Sequence, residues 1–340
     1  MEYSGYSQLN PQWTKFVASH PELGDLDRVG IVERCRIFGE VEAKILPRQV
    51  LKDMFTIAVR DGHEISMRSY VPASNNRSRP VLIYLHAGGF LFGDLESGDL
   101  NCRTLAARLD INVLNVGYRV APKWPFPHGL NDSYDATEWA AANAESHLDA
   151  SPTTGFFVGG ISSGANFAGV IAYQARDAGL SPPITGLWSS IPVCILPQAY
   201  HLLPVDQREQ LLSLEQNAEN PLLTKKSLSD IQVIYGSPPE DPRISFLLNK
   251  DHRELPKRVY FQICGRDPLR DEAFLWKKLL EGHSGTKSMV HLYTGMPHGF
   301  WRFLEMKTSQ EWLEDLVEGI RYLCEPEDEA KKTKLIVKGV

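Results

Sequence analysis

Phe156-Phe157-Val158-Gly159-Gly160-Ile161-Ser162-Ser163-Gly164-Ala165-Asn166 decides how the rest of the chain is read. Three apolar residues end in paired glycines, and small residues then lead into a helical pattern that continues to Ala178. The order predicts a buried strand that turns sharply into a helix. So tight a turn needs small residues on both sides of Ser162, which Gly160 and Gly164 supply, and it lifts the serine oxygen above the sheet. The helix start beneath it offers N–H groups that lack intrahelical partners and can meet a developing oxyanion. Structural turns rich in Gly and Ser can share this spacing, so the surrounding pattern has to carry part of the reading.

That pattern is regular. Residues 81–85, 111–116, 184–191, 259–263 and 289–293 are apolar runs of the kind found in strands buried on both faces. Helix-like stretches lie between most of them, clearest at 163–178 and 310–324. Strands alternating with helices predict an α/β fold with a mostly parallel sheet covered on both sides. Residues 54–60 and 64–71, joined across Asp61-Gly62, read as an antiparallel hairpin. The first fifty residues, with Trp13, Phe16, Leu26, Val29, Ile31 and Val32 among charges, read as short amphipathic helices. Residues 196–248 break the rhythm. They are long and punctuated by six prolines, from Pro197 to Pro242, which predicts an insertion or lid rather than a loop. The end of the chain, 326–340, reads as a charged tail.

A second motif follows the strand at 81–85. His86-Ala87-Gly88-Gly89-Phe90 places adjacent glycines where backbone must approach a bound acyl group, so that two N–H groups point into the site. The N–H of Ser163 would be the third donor. His86 precedes the serine and lies at the base of this turn, which suits bracing the loop. A serine nucleophile needs a base, and the base needs an orienting carboxylate, in the order serine, acid, histidine for this strand arrangement. His298, in the loop after the last strand, is the candidate base. His201 and His252 fall in or beside the insertion, His283 near a helix end and His291 inside a strand. Asp267 is the candidate acid, nearest the end of the strand at 259–263. Asp271 and Glu272 suit the first turn of the next helix, where carboxylates favour the dipole.

Together these residues resemble the hormone-sensitive-lipase-like family of α/β-hydrolase esterases. The resemblance rests on the stretches at 86–90, 118–127, 160–166, 267–272 and 298–300, in the family's order, and covers roughly 50–325. It implies an eight-stranded, mostly parallel sheet with helices on both faces and a helical cap. The cap would be built from residues 1–51 and 196–248, and the catalytic domain from 52–195 and 249–325. The implied activity is a serine carboxylesterase with Ser162, Asp267 and His298 as triad and Gly88, Gly89 and Ser163 as oxyanion donors, needing no cofactor and no metal. Four positions depart from the family's pattern. Ala87 stands for the first glycine of the family's HGGG, Ile161 for an acidic residue before the nucleophile, and Ser163 and Ala165 for an alanine and a glycine.

The substrate class implied is an ester of a small or medium organic molecule, with natural-product deacetylation among the compatible roles. Acyl transfer, lactonase or cyclising chemistry would use the same triad. A receptor that kept the fold without turnover is the other class, and related plant receptors lack the histidine that this chain keeps at 298. Trp13, Phe16, Tyr200, Leu202 and Leu203 could line a pocket or form the core of the cap.

Composition agrees with a soluble enzyme. The 340 residues are 43% hydrophobic, enough for a large core, and a net charge of −6 argues against nucleic acid as a partner. Cys35, Cys102, Cys194, Cys264 and Cys324 are scattered without CxxC spacing, so they read as reduced bystanders. Residues 1–7 have no basic start or apolar run, and no segment reaches the roughly 20 apolar residues of a membrane span. The expected location is the cytoplasm, and a homodimer is compatible with everything above.

Overall fold

The Asp61-Gly62 turn closes in the expected way in the computed structural model, which describes residues 3–21, 50–73, 78–325 and 333–339. Gly62 takes φ +81°, the Val59 N–H donates to His63 O at 2.8 Å, and β1 (Val50–Ala58) pairs antiparallel with β2 (Glu64–Pro72). The apolar runs become β3 (Val81–Leu85), β4 (Asn112–Gly117), β5 (Phe156–Ile161), β6 (Gly186–Ser190), β7 (Arg258–Arg266) and β8 (Lys287–Pro297). The sheet runs β1-β2-β4-β3-β5-β6-β7-β8-β9, with β2 antiparallel to β4 and every later neighbour parallel.

Strand β3 shows why its run is apolar throughout. Val81, Ile83 and Leu85 enter one buried cluster, while Leu82 and Tyr84 enter another on the opposite face. The first face is covered by α3 (His128–His147), α4 (Ser163–Ala178) and α6 (Arg270–Ser284). The second is covered by α2 (Asp99–Leu109) and α7 (Lys307–Cys324). Helix α4 can sit close to the sheet at Gly164, where a Cβ would stand 2.1 Å from Leu85 O, while Gly169 leaves room for the Phe246 ring, 2.6 Å from where its Cβ would be.

The strand count departs from the expected eight. Among the described residues there are nine, because β9 (Lys334–Lys338) adds to the edge of β8 in parallel. The charged tail 326–340 therefore contains a strand. Leu335 and Val337 stay 44% and 38% exposed, so backbone pairing and not burial holds β9. Composition carries little trace of such a strand.

The insertion is helical, with no strand among its described residues. It contains α5 (Lys225–Tyr235), capped by a reciprocal Thr224/Ser227 pair, and short turns at Pro197–Leu202, Val205–Arg208 and Ser213–Gln216. At the N-terminus, a turn at Ser4–Ser7 and α1 (Pro11–Ser19) lie along the ends of β7 and β8: Ser7 Oγ donates to Gly265 O and Asn10 Nδ2 to Thr294 O. The expected helices around Leu26, Val29, Ile31 and Val32 lie outside the described residues. No helix among the described residues is long and apolar enough to cross a membrane.

Candidate active site

Ser162 stands at the joint between β5 and α4 with φ +55° and ψ −114°. Holding a non-glycine residue there costs on the order of 1–3 kcal/mol, so the surroundings must enforce it. They do so through main chain. A Cβ on Gly160 would lie 2.3 Å from Leu85 O, and one on Gly164 would lie 2.1 Å from the same oxygen. The end of β3 presses on both flanks of the turn, and only glycine fits. The Ser162 N–H is tied to Ser190 O on β6 at 2.8 Å.

Three side chains from three strand ends meet here. Ser162 Oγ lies 3.1 Å from His298 Nε2, and His298 Nδ1 lies 2.7 Å from Asp267 Oδ2. With Nδ1 donating to the carboxylate, Nε2 is left to accept the serine proton. Asp267 is 1% exposed, and its Oδ1 accepts the Leu269 N–H at 2.9 Å, so both oxygens are occupied. Of the five histidines after Ser162 only His298 reaches it. His252 bonds to Tyr173 Oη, His201 to Gln198 O, and His291 to Tyr260 Oη.

The loop after β3 forms the opposite wall. Gly88 takes φ +147°, and a Cβ there would lie 2.0 Å from Phe92 O. Among the described residues, the N–H groups of Gly88, Gly89 and Ser163 donate to no backbone carbonyl in a turn or loop, and all three residues line the cavity that holds Ser162 and His298. His86 braces this loop from below. Its Nδ1 bonds to Ala87 O at 2.9 Å, its ring stacks on Tyr118 at 4.0 Å, and burial lowers it to about 4, so it stays neutral. Tyr118 Oη donates to His86 O, and the Ala121 N–H donates to Phe90 O. The stretch at 118–127 thus serves as a prop for the glycine loop.

Above the serine the cavity is mostly apolar, walled by Ile161, Ile191, Leu222 and the α5 residues Leu228, Ile231 and Tyr235. These α5 positions recur at i, i+3 and i+7, a signal the sequence carried but which fits a core face equally well. Trp13, Phe16, Tyr200, Leu202 and Leu203 do not line it: Trp13 and Phe16 pack on Phe303 instead, and Leu202 is 49% exposed.

Asp271 and Glu272 do open α6, and they do more. Asp271 Oδ2 accepts the N–H groups of Leu212 and Ser213, while Glu272 accepts those of Cys194 and Ile195 and the Tyr200 hydroxyl. Two carboxylates close to Asp267 therefore fasten the insertion, and the two residues just before it, to the start of α6. Burial pushes the Glu272 carboxyl up to about 8, against those donated hydrogen bonds, which favour the anion. Burial likewise raises the thiols of Cys102, Cys194 and Cys264, which leaves them unreactive.

Known proteins are similar to this chain in sequence and in fold. A family profile described as the α/β hydrolase fold matches residues 82–302. An AB hydrolase superfamily protein of Schizosaccharomyces pombe is 33% identical over 326 residues, 94% of each chain. The versiconal hemiacetal acetate esterase of Aspergillus parasiticus is 32% identical over 240 residues, 70% of this chain and 72% of that one. The crystal structure of vibralactone cyclase matches with a TM-score of 0.81 at 29% identity, over 94% of this chain and 96% of that one.

Proposed function

The chain belongs to the hormone-sensitive-lipase-like family of α/β-hydrolase carboxylesterases, and from that premise we propose that it hydrolyses esters through Ser162, His298 and Asp267. Ser162 Oγ attacks the ester carbonyl while its proton passes to His298 Nε2. Asp267 keeps the imidazole in the tautomer that can accept it and stabilises the imidazolium that forms. The N–H groups of Gly88, Gly89 and Ser163 hold the oxyanion, each worth on the order of 3 kcal/mol in the transition state. The alcohol departs with the proton returned by His298. Water, deprotonated by the same histidine, then attacks the acyl-enzyme and frees the acid.

The observation that carries this reading is the unbroken contact from Ser162 Oγ through His298 to Asp267, at 3.1 and 2.7 Å, beside three N–H groups that find no backbone acceptor among the described residues. Residues 196–248 act as the cap of the site. The mostly apolar lining favours neutral esters of small or medium size, since over most of the wall a charged group would lose its hydration with no polar side chain in return. A short acyl group on a larger alcohol is the substrate we favour, because the acetate esterase of Aspergillus parasiticus is among the relatives. A cyclising reaction is the second reading, supported by the likeness to vibralactone cyclase: a nucleophile within the substrate would replace water at the acyl-enzyme.

The test is Ser162→Ala assayed on p-nitrophenyl acetate. Turnover should fall to background, with circular dichroism unchanged and labelling by a fluorophosphonate probe lost. Wild-type turnover in this variant would overturn the assignment. Product analysis on a hydroxy-ester separates the two readings, with free acid expected from hydrolysis and lactone from cyclisation.

A further inference from the structure

A second cluster of chemically capable side chains lies where β8, α7 and β9 meet, and none of its members lines the active-site cavity. His291 on β8 is fully buried and points Nε2 at two carboxylates, 3.5 Å from Asp315 Oδ1 and 3.5 Å from Glu318 Oε2. Asp315 and Glu318 are three residues apart on α7, so they share one face of the helix.

The hydrogen bonds around His291 leave Nε2 without a proton to share. Tyr260 Oη donates to Asp315 O at 2.8 Å, so its contact with His291 Nδ1 at 3.0 Å must be donated by the imidazole. The neutral ring then turns the Nε2 lone pair toward two anionic oxygens, and among the described residues Nε2 has no hydrogen-bond partner. A protonated ring does not fit either. Charge-assisted N–H···O contacts close to about 2.7–2.9 Å, well short of the observed spacing. That spacing has another meaning. With Zn–N and Zn–O bonds of about 2.0–2.2 Å in a tetrahedron, neighbouring ligand atoms stand roughly 3.3–3.5 Å apart.

We propose that His291, Asp315 and Glu318 form a site for a divalent metal of the zinc class, tying β8 to α7 away from the catalytic centre. One imidazole and two carboxylates suit zinc and its neighbours better than magnesium or calcium, which prefer all-oxygen shells. The surroundings match a metal shell. Tyr260 fixes the histidine tautomer, and Tyr293 Oη donates to Asp315 Oδ2 at 3.0 Å. Lys338, on β9, already places an ammonium 2.9 Å from Asp315 Oδ1. The pocket thus draws a cation from the protein itself, and a metal would have to displace it.

That competition gives the test its sign. Tag-free, full-length protein is titrated with Zn2+ against a chromophoric indicator, and cobalt substitution is followed by its visible absorption. Saturable binding of one zinc per chain is expected. Glu318→Gln, at a half-exposed side chain that leaves the fold and the esterase intact, should weaken it at least about tenfold. Lys338→Met, which removes a like charge, should tighten it about tenfold. His291→Gln should abolish the cobalt spectrum, with retained ester hydrolysis as the check on folding. The proposal is overturned by absence of stoichiometric binding in the wild-type chain, or by Glu318→Gln and Lys338→Met leaving the affinity unchanged.

Discussion

The floor and the roof of the cavity are built in different ways. The floor, where Ser162, Gly88 and Gly89 lie, is set by main chain against main chain: hypothetical Cβ atoms on Gly88, Gly160 and Gly164 would stand 2.0–2.3 Å from carbonyl oxygens of Phe92 and Leu85. The roof is set by side chains of α5, and it comes down over the glycine loop at Ile231 Cδ1, 3.2 Å from where a Gly89 Cβ would be. Backbone atoms cannot move without moving strands, whereas the end of an isoleucine can rotate. The floor should therefore tolerate almost no change, and the roof should accept changes that alter preference more than rate.

Gly88→Ala tests the rigid half and carries the largest effect. Its new methyl would meet Phe92 O, so the loop must shift and the Gly88 N–H leaves its position. On the proposed mechanism this N–H is one oxyanion donor, and loss of one such donor costs about 10²–10³ in kcat. The variant should show that loss on p-nitrophenyl acetate with KM changed far less and with Ser162 still labelled by the fluorophosphonate. Full activity would mean that the oxyanion lies elsewhere.

The same contrast explains which parts were legible from the residues alone. Gly160, Ser162 and Gly164 are readable because close backbone packing admits one residue type at each glycine, and the order of strands then orders Asp267 and His298. Helix α5 could be seen as periodic, yet Leu228, Ile231 and Tyr235 satisfy a core face and a cavity wall by the same pattern. Asp271 and Glu272 suit a helix start and do open α6, but their grip on Leu212, Ser213, Cys194 and Ile195 spans more than fifty residues of sequence. No local pattern reports a contact at that range. Strand β9 was hidden for a third reason, since its half-exposed alternation in a charged tail buries too little to show.

Glu272 lies outside both floor and roof, holding Cys194, Ile195 and Tyr200 to α6, and its effect is one of stability. Its carboxyl titrates near 8 in the folded protein, against about 4.5 when unburied. Between those values the folded chain holds a proton that the unfolded chain has released, so this group favours folding fully below about pH 4.5 and loses that contribution as pH rises through 8. Glu272→Gln stays neutral throughout. Melting temperatures should converge near pH 5, and the variant should gain several degrees relative to the wild type by pH 9. A constant gap across that range would place the carboxylate charge at ordinary cost, with the donated hydrogen bonds outweighing burial.

The roof itself should give the smallest change. Ile231 is only half-buried, so Ile231→Ala removes three carbons from a wall already open to the cavity and should cost under about 2 kcal/mol of stability. The freed space lies beside Gly89, at the mouth of the glycine loop, while the contacts of Ser162, His298 and Asp267 remain. Turnover of p-nitrophenyl acetate should then change by less than about fivefold, because one or two methylenes of contact are worth only about 1–3 kcal/mol and acetate uses few of them. Octanoate should gain several-fold in kcat/KM if the acyl chain runs beneath α5. If acetate and octanoate fall together by a hundredfold, the side chain is positioning the oxyanion loop, and the roof is as rigid as the floor.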